Sequence, residues 1–324
     1  MTEAPAFTIL APVNRPPDLL PFAIRSVLAQ TRQDFELFII CDGASEATAA
    51  VARDFEAQDP RVRACVHAKG ERHGEAYRHQ ALLAARGRIV CQIGDDDLWF
   101  PDHLEKVEAL MAEADFGATL PMFLQPDGTP RLHFFDFADP VVQRQMAEGH
   151  GNAFGPTPAA YRLETYRALP VGWSPAPADV WTDLFMWRKF LALPGIRCAT
   201  HFAATTLTFP QAMRRDWSLE RRREEIAAIA ALVGRPGFRD SLFREALAAA
   251  ARRTVALQRQ LNGERILGRA LRSAVADAEC ALTEIAGSRD SEAQAGLAQN
   301  AIQRLHDHPW RRMLPAPAPR PQGS

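Results

Sequence analysis

Three consecutive aspartates, Asp95, Asp96 and Asp97, follow an apolar segment that ends at Gly94. Adjacent carboxylates repel one another, and burial strengthens that repulsion. A hard divalent cation relieves it, because Mg²⁺ and Mn²⁺ prefer carboxylate oxygens and Mg²⁺ commonly takes further ligands from substrate phosphates. The cluster therefore predicts a site for a metal and a diphosphate. The alternative interpretation is a group of solvated loop aspartates that cap the next helix.

Polar residues follow two other apolar runs. Asp42 comes directly after "FIIC" and precedes Gly43, and Pro12, Asn14 and Arg15 lie at the end of the first apolar run. A carboxylate at the position of Asp42 can accept hydrogen bonds from a ribose or a base N–H, whereas the alternative is an Asp-Gly turn that needs no ligand. Three predicted strand ends with polar groups indicate one nucleotide crevice.

The elements that must position these residues alternate between strand and helix patterns. Strand patterns cover 7–12, 35–42, 61–67 and 88–94, and helix patterns cover 18–30, 45–58, 74–87 and 101–114. Asp18 and Ser45 are candidate N-caps, and Gly87 is a candidate helix end. This alternation predicts an α/β fold with a mostly parallel sheet and helices on both faces. Ligands of such sheets bind at the carboxyl ends of the strands.

The second half of the chain is less regular. Strand patterns at 116–124, 130–137 and 196–209 surround a helix pattern at 179–193, and long helical patterns rich in Ala, Arg, Glu and Leu begin near 218. We therefore predict a catalytic domain over 1–215 and a helical C-terminal region over 216–310. A proline-rich tail follows over 311–324, and its composition is typical of disorder.

The bulk properties exclude several classes of protein. The net charge of -1 over 324 residues gives no sign of a nucleic-acid-binding surface. No leader peptide is evident, and no apolar run reaches the roughly 18 residues of a membrane helix. The five cysteines are scattered without CxxC spacing, which argues against disulfides and zinc. We expect a reducing, cytoplasmic setting.

The motifs, in their order along the chain, resemble family 2 glycosyltransferases of the GT-A fold. The resemblance covers about residues 6–210 and rests on "TILAPVNRPPDLLPFAIRSVLAQTRQDFELFIICDGAS", "GEAYRHQALLAARGRIV" and "GDDDLWFPDHL". It implies a metal-dependent, inverting transfer of a sugar from a nucleotide-diphosphate donor to an acceptor hydroxyl. It implies Mn²⁺ or Mg²⁺ as cofactor, and a UDP-sugar is the first choice of donor. The acceptors of this family are polysaccharides, lipids, proteins and small molecules.

The resemblance also assigns roles to individual residues. Asp96 matches the metal-binding carboxylate, Asp97 the trailing acid, and Asp95 a group that approaches the ribose or the metal. Gly94 stands where the family usually has a first aspartate. The residues that match the nucleotide-binding positions are Pro12, Asn14, Arg15, Asp42, and Arg72 or His73.

Inverting transfer needs a general base that deprotonates the acceptor hydroxyl. "TDLFMWRKF" resembles the acidic motif that carries this base in the family, with Asp183 in register and Thr182 where Glu is usual. Asp179 is the competing candidate, and four residues on a helix would place it on the same face as Asp183. The alternative is that both acids merely favour a helix N-terminus. His201, on a later strand pattern, is a candidate for the metal or diphosphate, or a structural histidine.

Two other functions remain open. A non-catalytic nucleotide-binding or scaffold protein of the same fold is consistent with Gly94 and Thr182, because both depart from expected acids. Sugar nucleotidyltransferases carry a glycine-rich loop after the first strand, and "APVNRPPD" has no glycine. The C-terminal helices permit packing on the catalytic domain, a homodimer, or contact with a membrane surface, which would be the inner face for a cytoplasmic protein.

Overall fold

The apolar runs form one mixed nine-stranded sheet in the computed structural model, which describes residues 4–149 and 151–287. The strands are β1 Phe7–Val13, β2 Phe35–Asp42, β3 Val62–His67, β4 Ile89–Gln92, β5 Leu98–Trp99, β6 Phe116–Leu124, β7 Pro130–Leu132, β8 Ala159–Arg162 and β9 Cys198–Thr208. The helices are α1 Leu20–Leu28, α2 Glu46–Gln58, α3 Glu75–Ala84, α4 His103–Glu113, α5 Pro140–Glu148, α6 Leu163–Arg167, α7 Thr182–Leu191, α8 Leu219–Val233 and α9 Phe238–Gly287, with a 3-10 turn at Gln211–Arg214. The predicted α/β class is confirmed.

The strand order is β3-β2-β1-β4-β8-β6-β9-β5, with β7 paired to β6. The pairs among β3, β2, β1 and β4 are parallel, as is the pair of β6 with β9. The remaining pairs are antiparallel. Because β1, β2 and β4 are parallel neighbours, their carboxyl ends meet at one edge of the sheet, where the polar strand ends were expected to converge.

Helices cover both faces of the sheet because the strand residues alternate between two cores. Ile9 and Leu37 pack with the apolar faces of α1, α2 and α4, whereas Leu10 and Phe38 pack with α3 and α7. Every residue of β2 is buried, as is typical of a central strand in a parallel sheet. A third core lies where α8 packs against β5, β6 and β9.

Some predicted helix ends were wrong. Ser45 does cap α2, since its hydroxyl accepts a hydrogen bond from the N–H of Thr48 at 3.2 Å. The cap of α1 is Leu19, one residue after Asp18. Helix α3 ends at Ala84, before Gly87, because Ala85 is already extended. Gly87 instead allows close approach to β1: a Cβ at this residue would lie 2.3 Å from the carbonyl carbon of Phe7.

The described chain divides into two compact units. The first ends at Ala250 and therefore includes α8. The buried Arg214, in the 3-10 turn, links α8 to the end of β6. It pairs with Glu225 of α8 at 2.6 Å and donates to the carbonyl of Leu124 of β6 at 3.0 Å. The second unit begins at Ala251 and is helical as far as 287. The rest of the predicted helical region and the tail at 311–324 lie outside the described residues. None of the helices described has the length and apolarity that crossing a membrane requires.

The contact of Gly87 with β1 predicts a steric effect. We expect Gly87→Ala to lower the free energy of unfolding by about 1–3 kcal/mol, because backbone of β1 must move to admit the methyl group. Gly234→Ala is the matched control, since its added Cβ meets nothing within 4 Å and its φ is -84°. Urea unfolding of both variants tests the assignment, and equal stability of the two would contradict it.

Candidate functional site

A cavity of about 250 Å³ lies at the carboxyl edge of β1, β2 and β4. It brings together seven of the residues selected from the sequence, from segments far apart in the chain: Pro12, Asn14, Arg15, Asp42, His73, Asp95 and Asp183. The other lining residues are Val13, Arg78, Gln92, Gly94, Pro156 and Thr182. The strand ends and the N-terminus of α7 therefore form one site.

Asp42 is held in a fixed orientation at the end of β2. It is 3% exposed, and its two oxygens accept hydrogen bonds from Lys69 Nζ and from the N–H of Gly70, both at 2.6 Å. Gly74 lies against the same carboxylate with a φ of +69°, and a Cβ there would lie 2.7 Å from Asp42 Cγ. The loop after β3 therefore closes around Asp42, and its contribution was not evident from the sequence.

The carboxylates of Asp95 and Asp96 are bridged by Arg15. The guanidinium binds both oxygens of Asp95, with Nε at 3.0 Å from Oδ2, and it donates to Asp96 Oδ2 at 2.6 Å and Oδ1 at 2.9 Å. Arg222 of α8 donates to Asp96 Oδ2 at 2.7 Å. Burial raises the pKa of Asp95 to about 6, although Arg15 opposes this shift. In the sequence, Arg222 lies within the Arg-rich helical pattern that begins near 218, and it was not among the predicted site residues.

Asp97 is turned into the protein and does not line the cavity. Its oxygens accept hydrogen bonds from the hydroxyl of Thr157 and from the N–H of Phe209, the latter at 3.3 Å. Burial, together with the charge of Asp96, raises the pKa of Asp97 to about 7. Asp97 therefore joins the end of β4 to the segments before β8 and after β9.

Asp183 lies in the first turn of α7, where the N-terminal end of a helix favours a negative charge. Its Oδ2 accepts a hydrogen bond from Asn152 Nδ2 and its Oδ1 from the N–H of Leu184, both at 2.9 Å. Burial raises the pKa of Asp183, and the helix N–H groups oppose this shift. Thr182 anchors the helix start, since its hydroxyl donates to the buried Glu75 of α3 at 2.8 Å.

Asp96 does not line this cavity, and neither do three other predicted residues. Asp179 is exposed in the turn before α7, so the prediction that it shares a helix face with Asp183 was wrong. Arg72 directs its guanidinium to the carbonyl of Pro177 at 3.1 Å. His201 lies on β9, and its pKa is lowered by burial and by Lys106 of α4.

Arg78 and Gln92 line the cavity, and the sequence analysis did not select them. Both are signalled by a polar residue in an apolar pattern. Arg78 lies on the same helical face as the buried Leu82, and Gln92 interrupts the apolar run of β4. The same pattern occurs at buried polar residues that have no functional role. Only their position in the cavity wall marks Arg78 and Gln92 as candidate site residues.

The carboxylates at the end of β4 have the chemistry for a hard cation. No group of three or more His, Cys, Asp or Glu side chains is arranged for a metal within the described residues. Arg15 and Arg222 instead place two positive charges against Asp95 and Asp96, which is the charge that a divalent cation would supply. Asp95 and Asp96 have the oxygen chemistry that Mn²⁺ or Mg²⁺ would take, and both guanidinium groups would have to move for such an ion to bind.

Comparisons with known proteins agree with this geometry. Residues 9–146 match the sequence profile of glycosyl transferase family 2. The putative teichuronic acid biosynthesis glycosyltransferase TuaG of Bacillus subtilis is 29% identical over 128 residues, which are 39% of this chain and 50% of that protein. An uncharacterized glycosyltransferase of Nostoc sp. is 26% identical over 169 residues, 50% of this chain and 52% of that protein. The chain thus spans about half the length of these curated relatives.

The fold has solved counterparts. The crystal structure of S. aureus TarS 1-349 superposes with a TM-score of 0.51 at 15% identity, over 74% of this chain and 70% of that one. At this identity the similarity establishes the fold alone.

The pairing of Arg222 with Asp96 predicts a stability effect specific to one arginine of α8. We expect Arg222→Ala to lower the free energy of unfolding by about 1.5–3 kcal/mol, because it removes a charged hydrogen bond from a carboxylate that is largely buried. Arg223→Ala is the matched control, since Arg223 is exposed on the same helix, and we expect a change within about 0.5 kcal/mol. Urea unfolding at low salt measures both. Equal values for the two variants would show that the pair contributes nothing.

Proposed function

This chain belongs to glycosyl transferase family 2 through residues 9–146, and from that premise we propose that it transfers a sugar from a nucleotide-diphosphate donor to an acceptor hydroxyl. The observation that carries the proposal is the convergence of Asp42, Asp95 and Asp183 on one cavity of about 250 Å³. These three acids come from the ends of two parallel strands and from the start of a helix far along the chain. A scaffold protein would have no need of this arrangement of carboxylates.

In this proposal the donor's nucleoside lies against Asp42, with Pro12 and Asn14 along the same wall. The carboxylate of Asp42 is already fixed by Lys69 and Gly70, so it can accept a hydrogen bond from the base or ribose without reorganisation. Uridine is our first choice of base, and the resemblance to the family is the only support for it.

The diphosphate is proposed to lie at the Asp95–Asp96 end of the cavity. There Asp96, together with Asp95, would hold Mn²⁺ or Mg²⁺, which stabilises negative charge on the leaving diphosphate when it is bound. Arg15 lines the cavity and carries a positive charge in the same place. Asp97 and His201 are left out of the proposed metal site, since Asp97 is engaged by Thr157 and Phe209 and His201 does not line the cavity. Asp96 also lies outside the lining, but it is kept because it pairs with the lining residue Arg15 beside Asp95.

Asp183 is proposed as the general base of an inverting reaction. The acceptor oxygen forms the new bond to the anomeric carbon, the bond from that carbon to the diphosphate oxygen breaks, and the hydroxyl proton passes to Asp183. The hydrogen bonds from Asn152 and Leu184 orient the carboxylate. Burial raises its pKa, which makes it a stronger base than an exposed aspartate.

We also propose a cytoplasmic setting for the reaction. Cys41, Cys65, Cys91 and Cys198 are free thiols in the structure, and free thiols are typical of reducing compartments.

Donor binding can be tested by thermal unfolding with UDP, GDP, dTDP and CDP, each with and without Mn²⁺. We expect one nucleotide to stabilise the chain in the presence of Mn²⁺, by about 2.7 kcal/mol at 100 times its dissociation constant. Asp96→Asn should abolish the part that depends on Mn²⁺, because it removes a carboxylate charge from the metal site. If no nucleotide stabilises the wild-type chain, the donor assignment is wrong and a scaffold role gains support.

The role of Asp183 predicts a loss of rate without a loss of donor binding. We expect Asp183→Asn to lower kcat by about 10²- to 10⁴-fold, since the amide cannot accept the proton. Asp179→Asn is the matched control and should keep wild-type kcat, because Asp179 is exposed outside the cavity. Product formation with the donor found above measures both variants.

The pH profile gives an independent check on the same residue. Because burial raises the pKa of Asp183, the base should become protonated as pH falls, and kcat/KM should decline at a higher pH than an exposed aspartate would give. Asp183 would not be the base if Asp183→Asn kept full activity, or if Asp183→Asn and Asp179→Asn lost activity equally.

A further inference from the structure

We infer that Arg78, together with Gln92, binds an anionic group of the donor inside the cavity. The inference rests on the proposed function and adds to it the part of the donor that these two residues recognise. It follows from two unpartnered buried polar atoms on residues that line the cavity.

Arg78 is buried and forms no ion pair with any residue that the structure describes. It is 4% exposed, its Nη2 donates to the carbonyl of His73 at 2.6 Å, and its guanidinium lies 4.4 Å from the ring centroid of Trp173. Its Nε is enclosed and has no hydrogen-bond partner among the described residues. Neither contact supplies a negative charge, so the cation is not neutralised locally.

Other largely buried arginines of this chain are paired differently. Arg214 is 1% exposed and pairs with Glu225 at 2.6 Å, and Arg15 pairs with Asp95 and Asp96. Burial of an unpaired guanidinium is unfavourable, and it lowers the pKa of Arg78 in spite of the more distant charges of Glu75 and Asp183. An anion entering the cavity would supply the missing partner.

Gln92 has unused capacity in the same cavity. It is 5% exposed at the end of β4, and its Oε1 is enclosed without a hydrogen-bond partner among the described residues. An anion would accept hydrogen bonds from the N–H groups of this amide, not from its oxygen. Other polar side chains of the lining are engaged: Asp42 by Lys69, and Asp183 by Asn152. Among the buried side chains of the lining, Arg78 and Gln92 therefore keep unpartnered polar atoms.

The chemistry of the ligand group follows from the guanidinium. Its planar array of N–H donors matches a carboxylate or a phosphate, and charge-assisted hydrogen bonds to such groups are strong. Arg78 lines the same cavity as Asp42 and Asp183. Since the proposed function places the nucleoside at Asp42 and the acceptor at Asp183, the group lies between the nucleoside and the reacting carbon. Two parts of a donor carry an anion there: the β-phosphate, or a carboxylate on the transferred sugar.

Two apolar replacements separate ligand binding from a structural role. Arg78→Met and Gln92→Leu keep the approximate side-chain volume and remove the unpaired polar atoms. If either side chain stabilises the fold, its replacement should lower the urea midpoint. We expect instead that both full-length variants have a urea midpoint equal to or above that of wild type, because the groups removed are buried without full partners. Arg63→Met is the control, since Arg63 also lies over a ring, that of Phe38, but outside the cavity.

Calorimetric titration with uridine, UMP, UDP, UDP-GlcNAc and UDP-glucuronate, and with the guanosine counterparts, identifies the anion. If Arg78 binds the β-phosphate, Arg78→Met should weaken the binding of UDP by about 10- to 100-fold and leave the affinity for UMP unchanged. If a sugar carboxylate is bound, the same loss should appear for UDP-glucuronate alone. Gln92→Leu should weaken the same ligand by a smaller factor, and Arg63→Met should weaken none.

Three results would overturn the inference. The first is that Arg78→Met binds every ligand with wild-type affinity. The second is that it loses as much affinity for uridine as for UDP. The third is that it unfolds at a lower urea concentration than Arg63→Met. Inorganic pyrophosphate separates this inference from the proposed function. If the wild-type chain binds no nucleotide but binds pyrophosphate in a manner that Arg78→Met abolishes, the donor assignment fails and the anion site stands. If it binds neither, both are wrong.

Discussion

The charge balance at the carboxyl end of β4 is the constraint on which the rest of the site depends. Three adjacent aspartates are buried there, and their mutual repulsion must be offset. Arg15 of the loop after β1 bridges Asp95 and Asp96, and Arg222 of α8 binds Asp96. Because each partner comes from a different segment, neutralising the cluster also fixes the first strand loop and α8 against the sheet.

A second set of contacts fixes the side of the cavity that Asp183 lines. The aromatic cluster between the sheet and α7 is anchored by Trp187, whose indole N–H donates to the carbonyl of Phe154 at 3.2 Å. Phe154 lies in the loop that also carries Asn152, the partner of Asp183. The position of Asp183 is therefore set by a buried apolar core on one side and by the link from Thr182 to Glu75 on the other. Both supports are independent of the carboxylate cluster, so the two ends of the cavity are built separately.

The two ends also differ in how their polar groups are satisfied. At the Asp95–Asp96 end, opposite charges within the protein neutralise each other. Around Arg78 and Gln92, buried polar atoms remain without partners. Unsatisfied buried groups reduce stability, and natural proteins carry them mainly at functional sites. A cation that binds at the paired end would therefore have to displace the arginines, whereas the Arg78 region keeps buried polar atoms without partners among the described residues.

Local sequence patterns determined much of this protein. The apolar runs and their spacing predicted β1, β2 and β4 and the helices between them, because burial in a parallel sheet requires continuous apolar strands. Since parallel neighbours end at the same edge, the same patterns predicted that Asp42 and Asp95 would lie near one another. The motif around Asp183 predicted a carboxylate at the start of a helix.

Tertiary structure alone decided which other residues join them. Arg222 reaches Asp96 across 126 residues of sequence, and no local pattern encodes a contact between such distant segments. Asp97 is turned into the protein by Thr157 and Phe209, although in sequence it is equivalent to its two neighbours. Asp179 lies outside α7 because the helix begins at Thr182. Periodicity fixes which face of an element is buried, but what that face meets is set by the packing of the whole chain.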